Sequence, residues 1–174
     1  TLQDSQDEYE KLPFVTYSNA LSLQTLTQLS ELFSQLKDVE TSRKLTDRAA
    51  ALRKAILTHC ISAGAKGASG PIFVSSTDAK GSMNFAEIPP GSMMKLPLLG
   101  LIREDDQTFA RTYDWLHSSN YEWSYSSQPF GLPGSYRLPF TTSWSVADHL
   151  RLKRGRAQAL KVLTSSKWDG GIIS

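Results

Sequence analysis

The chain of 174 residues carries 19 Lys+Arg against 17 Asp+Glu, a formal net charge of +2, and is 40% hydrophobic and 21% charged. That composition suits one globular domain with a real core, and it excludes disorder as the main state and a sustained basic face for nucleic acid. No run approaches the roughly 20 apolar residues of a membrane span, and the polar, acidic start from Thr1 to Glu10 excludes a secretory signal there. The single cysteine, Cys60, excludes an internal disulfide and a cysteine-based zinc site, and His59, His117 and His149 are too far apart for a short chelating motif. No metal and no cofactor is expected, and the absence of cysteine pairs suits a reducing, cytoplasmic setting. The chain begins at Thr1 without an initiator methionine and stops at Ile172-Ile173-Ser174 within an apolar run, so a fragment of a longer protein is expected.

From Ser18 to Leu36, apolar residues at Leu21, Leu26, Leu29, Leu32, Phe33 and Leu36 mark one helical stripe, with Leu23 off it. A second helix over Val39 to Ile61 repeats the pattern at Leu45, Ala49, Leu52, Ile56 and Cys60, and the short link predicts an antiparallel helical hairpin. Three glycines between Gly64 and Gly70 end it in a loop. Pro71 to Ser75 and Ser82 to Ala86 read as two short strands of a β-hairpin around Asp78-Ala79-Lys80-Gly81. Pro89-Pro90-Gly91-Ser92 opens an apolar segment, Met93 to Ile102, that Pro97 should kink. Asp105-Asp106 predicts a helix start, with Phe109, Thr112, Tyr113 and Leu116 on the buried side.

Ser118 to Thr142, with three prolines and two glycines, reads as a long irregular loop. It is not a disordered one: 10 of the 17 aromatic residues lie between Phe109 and Trp144, which obliges the segment to pack on something. Helices over Ser143 to Leu152 and Gly155 to Ser165 complete a mainly α chain of six or seven helices, without α/β alternation or internal repeat.

Candidate chemistry concentrates in a few places, each with a plainer reading. Asp4, Asp7, Glu8 and Glu10 form a solvated lead-in to the first helix or carboxyl groups at the lip of a pocket. Two such groups, one protonating the leaving oxygen and one activating water, are what glycoside cleavage needs. Glu87, ahead of the Pro-Pro-Gly-Ser turn, caps a helix start or contacts a ligand. Asp105 and Asp106 are assigned to capping, and Asp148 with His149 to an ordinary helix surface. The aromatic loop is a packed lid or a stacking platform for sugar rings. Five cations between Arg151 and Lys161 are read as helix surface.

Several segments in order resemble the metal-independent α-mannosidases, family 125 of the glycoside hydrolases. They are Ser5-Gln6-Asp7-Glu8 before Thr16-Tyr17-Ser18-Asn19, then Ile88-Pro89-Pro90-Gly91-Ser92 before Leu96-Pro97-Leu98-Leu99-Gly100, then Asp105-Asp106, and Trp168-Asp169-Gly170-Gly171-Ile172-Ile173-Ser174. The resemblance implies about half of an (α/α)6 toroid with a small β-hairpin insertion, a single partial catalytic domain over residues 1–174 that forms the C-terminal part of an enzyme. The implied activity is exo-acting, inverting cleavage of α-1,6-linked mannose in oligosaccharides without a metal. Asp7 is the closest match to the family's general acid, with Glu8 the neighbour to which the acidic pair shifts because Gln6 replaces one acid. The general base, a glutamate, is expected beyond Ser174. Tyr17, Asn19, Glu87 and Trp144 are carried over as pocket-lining, substrate-binding residues, although Ala86-Glu87 stands where relatives carry aspartates. The implied partners are a mannoside and the rest of the toroid, or a second copy through self-association, and the chain alone is expected to be inactive. A non-catalytic helical module that binds carbohydrate or protein is the rival reading.

Overall fold

The computed structural model describes residues 12–87, 91–125, 131–134 and 141–165, together with the backbone of one further strand pair at 168–169 and 172–173. Two long helices, α1 (Thr16–Gln35) and α2 (Val39–His59), form the expected antiparallel hairpin. Asp38 caps α2, its carboxylate accepting from Thr41 N at 3.0 Å, and Lys37 takes the left-handed conformation, φ 64°, that lets the chain reverse in so short a link.

The buried side of α1 differs from the stripe its leucines suggest. Thr16, Ala20, Leu23 and Ser30 are buried, whereas Leu21, Leu29, Leu32 and Leu36 are exposed, Leu36 at 65%. The cause is a cluster of hydroxyls between the two helices. Ser30 Oγ lies 2.7 Å from Thr46 Oγ1 and 3.0 Å from Ser42 O, and Ser42 Oγ donates to Ser30 O at 2.9 Å. Small hydroxylated residues let the helices approach closely and turn the Ser30 side inward, which a count of leucines does not register. On α2 the pattern holds, with Ala49 and Ile56 buried and Cys60 buried just past its end.

Short strands follow. β1 (Phe14–Val15), β4 (Ser76–Thr77) and β5 (Met83–Asn84) make a three-stranded antiparallel sheet, while β2 (Ile61–Ser62) pairs with β3 (Ile72–Phe73). The predicted turn at Asp78 to Gly81 does join β4 to β5. Asp78 Oδ1 accepts from Lys80 N at 2.7 Å and Ser82 N at 2.9 Å, and Gly81 adopts φ 119°. The first arm is Ser76–Thr77 rather than Pro71 to Ser75, because Ile72 and Phe73 find their partners in the residues just after α2.

The apolar segment after the Pro-Pro-Gly-Ser turn forms one 3-10 turn, Met93–Lys95, and then non-helical turns through Gly100. Helix α3 (Gln107–Leu116) starts where expected, Asp106 Oδ1 accepting from Thr108 N and Phe109 N, and buries Phe109, Thr112, Tyr113, Trp115 and Leu116. Thr112 Oγ1 accepts from Phe73 N at 2.9 Å, which fixes α3 against β3. Helices α4 (Ser143–Arg151) and α5 (Arg156–Ser165) pack on each other, and β6 (Trp168–Asp169) pairs with β7 (Ile172–Ile173). Among the described residues there are five α-helices rather than six or seven, because the Met93 segment does not become helical and much of 118–142 lies outside them or is irregular.

The main core joins Ala20, Leu23 and Ile56 of the hairpin to Phe73, Met93, Met94, Leu96, Leu101, Phe109 and Leu116. A smaller cluster, Leu132, Val146, Ala159 and Val162, lies between α4 and α5. No described helix is long and apolar enough to cross a membrane.

Candidate active site

Glu87 follows β5 and is 5% exposed. One carboxyl oxygen accepts from Met93 N at 3.1 Å, at the start of the 3-10 turn, and the Ser92 hydroxyl donates to the same group. Glu87 N donates to Tyr121 Oη at 3.0 Å, and that hydroxyl donates onward to Gly134 O at 2.8 Å. Tyr121 thus ties the segment after α3 to the turn that carries Glu87. Burial pushes the Glu87 carboxyl from 4.5 up to about 7; its two hydrogen bonds act in the opposite sense, the charge of Asp148 adds to the rise and Lys95 opposes it.

Lys95, the last residue of the same turn, holds its ammonium 3.7 Å from Asp148 Oδ1 on α4 and 5.5 Å from the ring centre of Tyr17 on α1. A cation is thereby set between an aromatic face and a carboxylate, with the Glu87 carboxyl bonded to the beginning of its own turn. The Lys95 and Asp148 side chains are 18% and 5% exposed, so solvent screens the pair far less than a surface pair. Burial raises Asp148 to about 6 against the pull of Lys95 and Arg151.

Asp148 and His149 are therefore not an ordinary helix surface. Asp148 is 4% exposed and His149 1%, because α4 sets them against Lys95 of the 3-10 turn and against Tyr113 and His117 at the end of α3. His149 Nε2 faces His117 Nε2 at 3.0 Å, and their Nδ1 atoms lie against Ser145 O and Tyr113 O. Burial holds both rings below the usual histidine range, His117 at about 3 with help from repulsion by His149. Gly155 permits the close pass of the next turn, since a Cβ there would meet the His149 ring at 2.7 Å.

The sequence-predicted residues separate in space. Tyr17 is half-buried against Lys95, and Glu87 is bonded into the same turn. Trp144 is 44% exposed on α4, one helical turn before Asp148 and on the same side of that helix. Asn19 points elsewhere: two positions from Tyr17, about 200° around α1, it donates to Val15 O at 2.8 Å and lines a separate groove of about 270 Å³ with Phe14, Ile56 and His59. A second, open basin of about 790 Å³ lies beside Leu98, Arg103 and Arg154. Neither cavity is lined by Glu87. Asp7 and Glu8 lie outside the described residues, as do Pro89, Pro90, Phe130, Tyr136 and Phe140 of the expected turn and loop.

Sequence reasoning missed Lys95 and Asp148, and it took Tyr121 only as one of the loop aromatics that must pack on something. A usable signal existed for Lys95, the lone charge between Met93 and Ile102, since a cation in an apolar segment requires a buried partner. Asp148 offered none, because it sits among Ser, Ala and His in a helix whose polar and apolar positions look interchangeable. Among the described residues, no three His, Cys, Asp or Glu side chains are arranged to hold a metal ion.

The described residues make a mainly helical fold with small antiparallel strand pairs, and that fold has a solved counterpart. One solved structure, a metal-independent α-mannosidase of Streptococcus pneumoniae in a non-productive complex with α-1,6-mannobiose, superposes with a TM-score of 0.73 at 19% identity, over 96% of this chain and 41% of that one. The chain thus spans about two-fifths of the length of this solved relative. No curated protein shows a significant sequence match. The sequence matches the metal-independent α-mannosidase family, GH125, over residues 4–168, and the chain belongs to that family.

Proposed function

We propose that the chain is the C-terminal portion of a glycoside hydrolase that removes α-1,6-linked mannose from the ends of oligosaccharides with inversion and without a metal. The observation that carries this reading is the family match across 4–168, nearly the whole chain. In it, residues 1–174 supply about half of an (α/α)6 toroid, and the rest of the gene product packs against the exposed leucine face of α1. Asp7, or Glu8 beside it, protonates the glycosidic oxygen, and a glutamate beyond Ser174 activates water on the opposite face. Room for that water requires the two carboxyl groups to lie about 6.5 to 9.5 Å apart.

Tyr17 and Trp144 offer ring faces for sugar C–H groups, and Glu87 a carboxyl for a hydroxyl. We assign Asn19 to shaping the start of α1, where its amide is bonded. Cys60, free and buried, suits the reducing cytoplasm. The chain by itself is inactive, lacking the base, and its leucine face drives self-association when the remainder is missing.

The test is mannose release from α-1,6-mannobiose by the complete gene product in EDTA, with Asp7→Asn alongside and the anomer followed by NMR. Release of the inverted anomer, abolished by Asp7→Asn, supports the reading. No release in the presence of intact folded protein favours the rival, a binding module without catalysis.

A further inference from the structure

His117 at the end of α3 and His149 on α4 engage all four of their ring nitrogens in three contacts. Each Nδ1 lies against a carbonyl one turn back in its own helix, His117 on Tyr113 O at 2.7 Å and His149 on Ser145 O at 2.6 Å, and the two Nε2 atoms face each other at 3.0 Å. A carbonyl oxygen only accepts, so each Nδ1 carries a proton that it donates. Two ring nitrogens at hydrogen-bond distance also need a proton between them. Three contacts therefore take three protons, whereas two neutral imidazoles bring only two. The groups around the rings are otherwise engaged. Tyr113 stacks on His117 at 3.9 Å between ring centres and tilts against His149 at 5.8 Å. Arg154, 5.5 Å from the Tyr113 ring centre, pairs with Asp114 at 2.6 Å, and its backbone N–H donates to Glu104. Asp148, beside His149 in the chain, reaches Lys95, and Gly155 brings no side chain against the His149 ring. Among the described residues, no carboxylate is bonded to either imidazole.

We propose that His117 and His149 form an acid-closed clasp between α3 and α4: one proton shared by the two Nε2 atoms joins the rings, and its loss leaves two bare nitrogens that repel and part. The arrangement described above is the protonated one. A proton taken from solvent makes one ring an imidazolium whose Nε2–H is donated to the other, so two rings carry one positive charge. A second proton would set two N–H groups face to face and is refused while the contact lasts. Burial opposes the charge, which places the uptake on the acid side of the ordinary histidine range. Helix α4 also carries Trp144 and Asp148, so the clasp governs how firmly that helix is held beside Lys95. None of this depends on the proposed glycosidase activity.

The test is a titration of the chain labelled with 15N-histidine, in EDTA, followed by NMR of the ring nitrogens. His117→Gln and His149→Gln identify the two rings, and His59, exposed on α2, is the internal reference. In the parent, both rings move in one common step that takes up a single proton, both Nδ1 atoms stay protonated throughout, and the two Nε2 atoms share the change. Above the step the His149 amide exchanges with solvent several-fold faster relative to its intrinsic rate, and in His149→Gln the common step is lost. Two independent one-proton steps, rings that stay neutral down to acid unfolding, an Nε2–H tautomer above the step, or amide exchange indifferent to it overturns the proposal. If a variant fails to fold, the parent still decides, because a shared proton gives both rings one midpoint while His59 follows its own.

Discussion

The helical hairpin and the region around the 3-10 turn are held together by opposite means. Helices α1 and α2 are long and regular, joined by a hydroxyl zipper at Ser30, Ser42 and Thr46, with apolar Leu29, Leu32 and Leu36 left facing outward. Around the turn there is little regular structure, yet Glu87, Ser92, Met93, Met94 and Leu96 are buried, together with Asp148 and His149 of α4. The hairpin leaves several leucines on the outside and buries hydroxyls beside Ala20, Leu23 and Ile56; the turn region holds ionisable groups inside. Length and periodicity therefore say little about where chemistry is stored. The least regular segment carries Glu87 and Lys95, and α4 brings Asp148 to them, because turns can aim backbone N–H groups and side chains at one point.

Substitutions sharpen that comparison. The largest effect belongs to the turn region's floor: Phe109→Ala, emptying a site with no solvent exposure, should cost about 3 to 5 kcal/mol in urea unfolding. Next comes Leu23→Ala in the hairpin, at about 2 to 4 kcal/mol, with the midpoint of unfolding again the measure. An equal loss from Leu32→Ala would break the account, which has Leu32 48% exposed on the outer side of α1. Removing the α3 cap by Asp106→Ala should cost about 1 kcal/mol, since two amides lose their acceptor. Smallest in stability is the pair Leu29→Lys with Leu32→Glu, which should stay within about 0.5 kcal/mol. Its visible effect is on association: sedimentation velocity should show the chain moving toward monomer.

The sequence showed the hairpin, the Asp106 cap and its helix, the Asp78 turn and the family resemblance, because each of these is written in local spacing or in an ordered set of motifs. It misjudged the buried side of α1, where Ser30 rather than a leucine sets the helix contact, and it took Asp148 and His149 for surface. Both errors have one origin. Periodicity ranks residues by hydrophobicity, whereas these polar groups are buried because a specific partner, Thr46, Lys95 or His117, awaits them from an element 16 to 53 positions away in the chain. The arms of the β-hairpin shifted for a similar reason, Ile72 and Phe73 being claimed by strand β2.

The buried carboxyl at the centre of the turn region gives the most direct test. Folding raises Glu87 from 4.5 to about 7, so the folded state holds this proton more tightly than the unfolded chain. The resulting stabilisation is fully present below about pH 4.5 and is lost as pH rises through 7, an amount on the order of 3 kcal/mol. Asp148, raised from 3.8 to about 6, acts in the same sense. The measurement is urea unfolding of the parent and of Glu87→Gln at pH 5 and pH 8. A clear loss of stability in the parent at pH 8, with less than half of it remaining in Glu87→Gln, is the predicted result. A parent equally stable at both values, or a loss undiminished in Glu87→Gln, would contradict a buried, proton-holding Glu87.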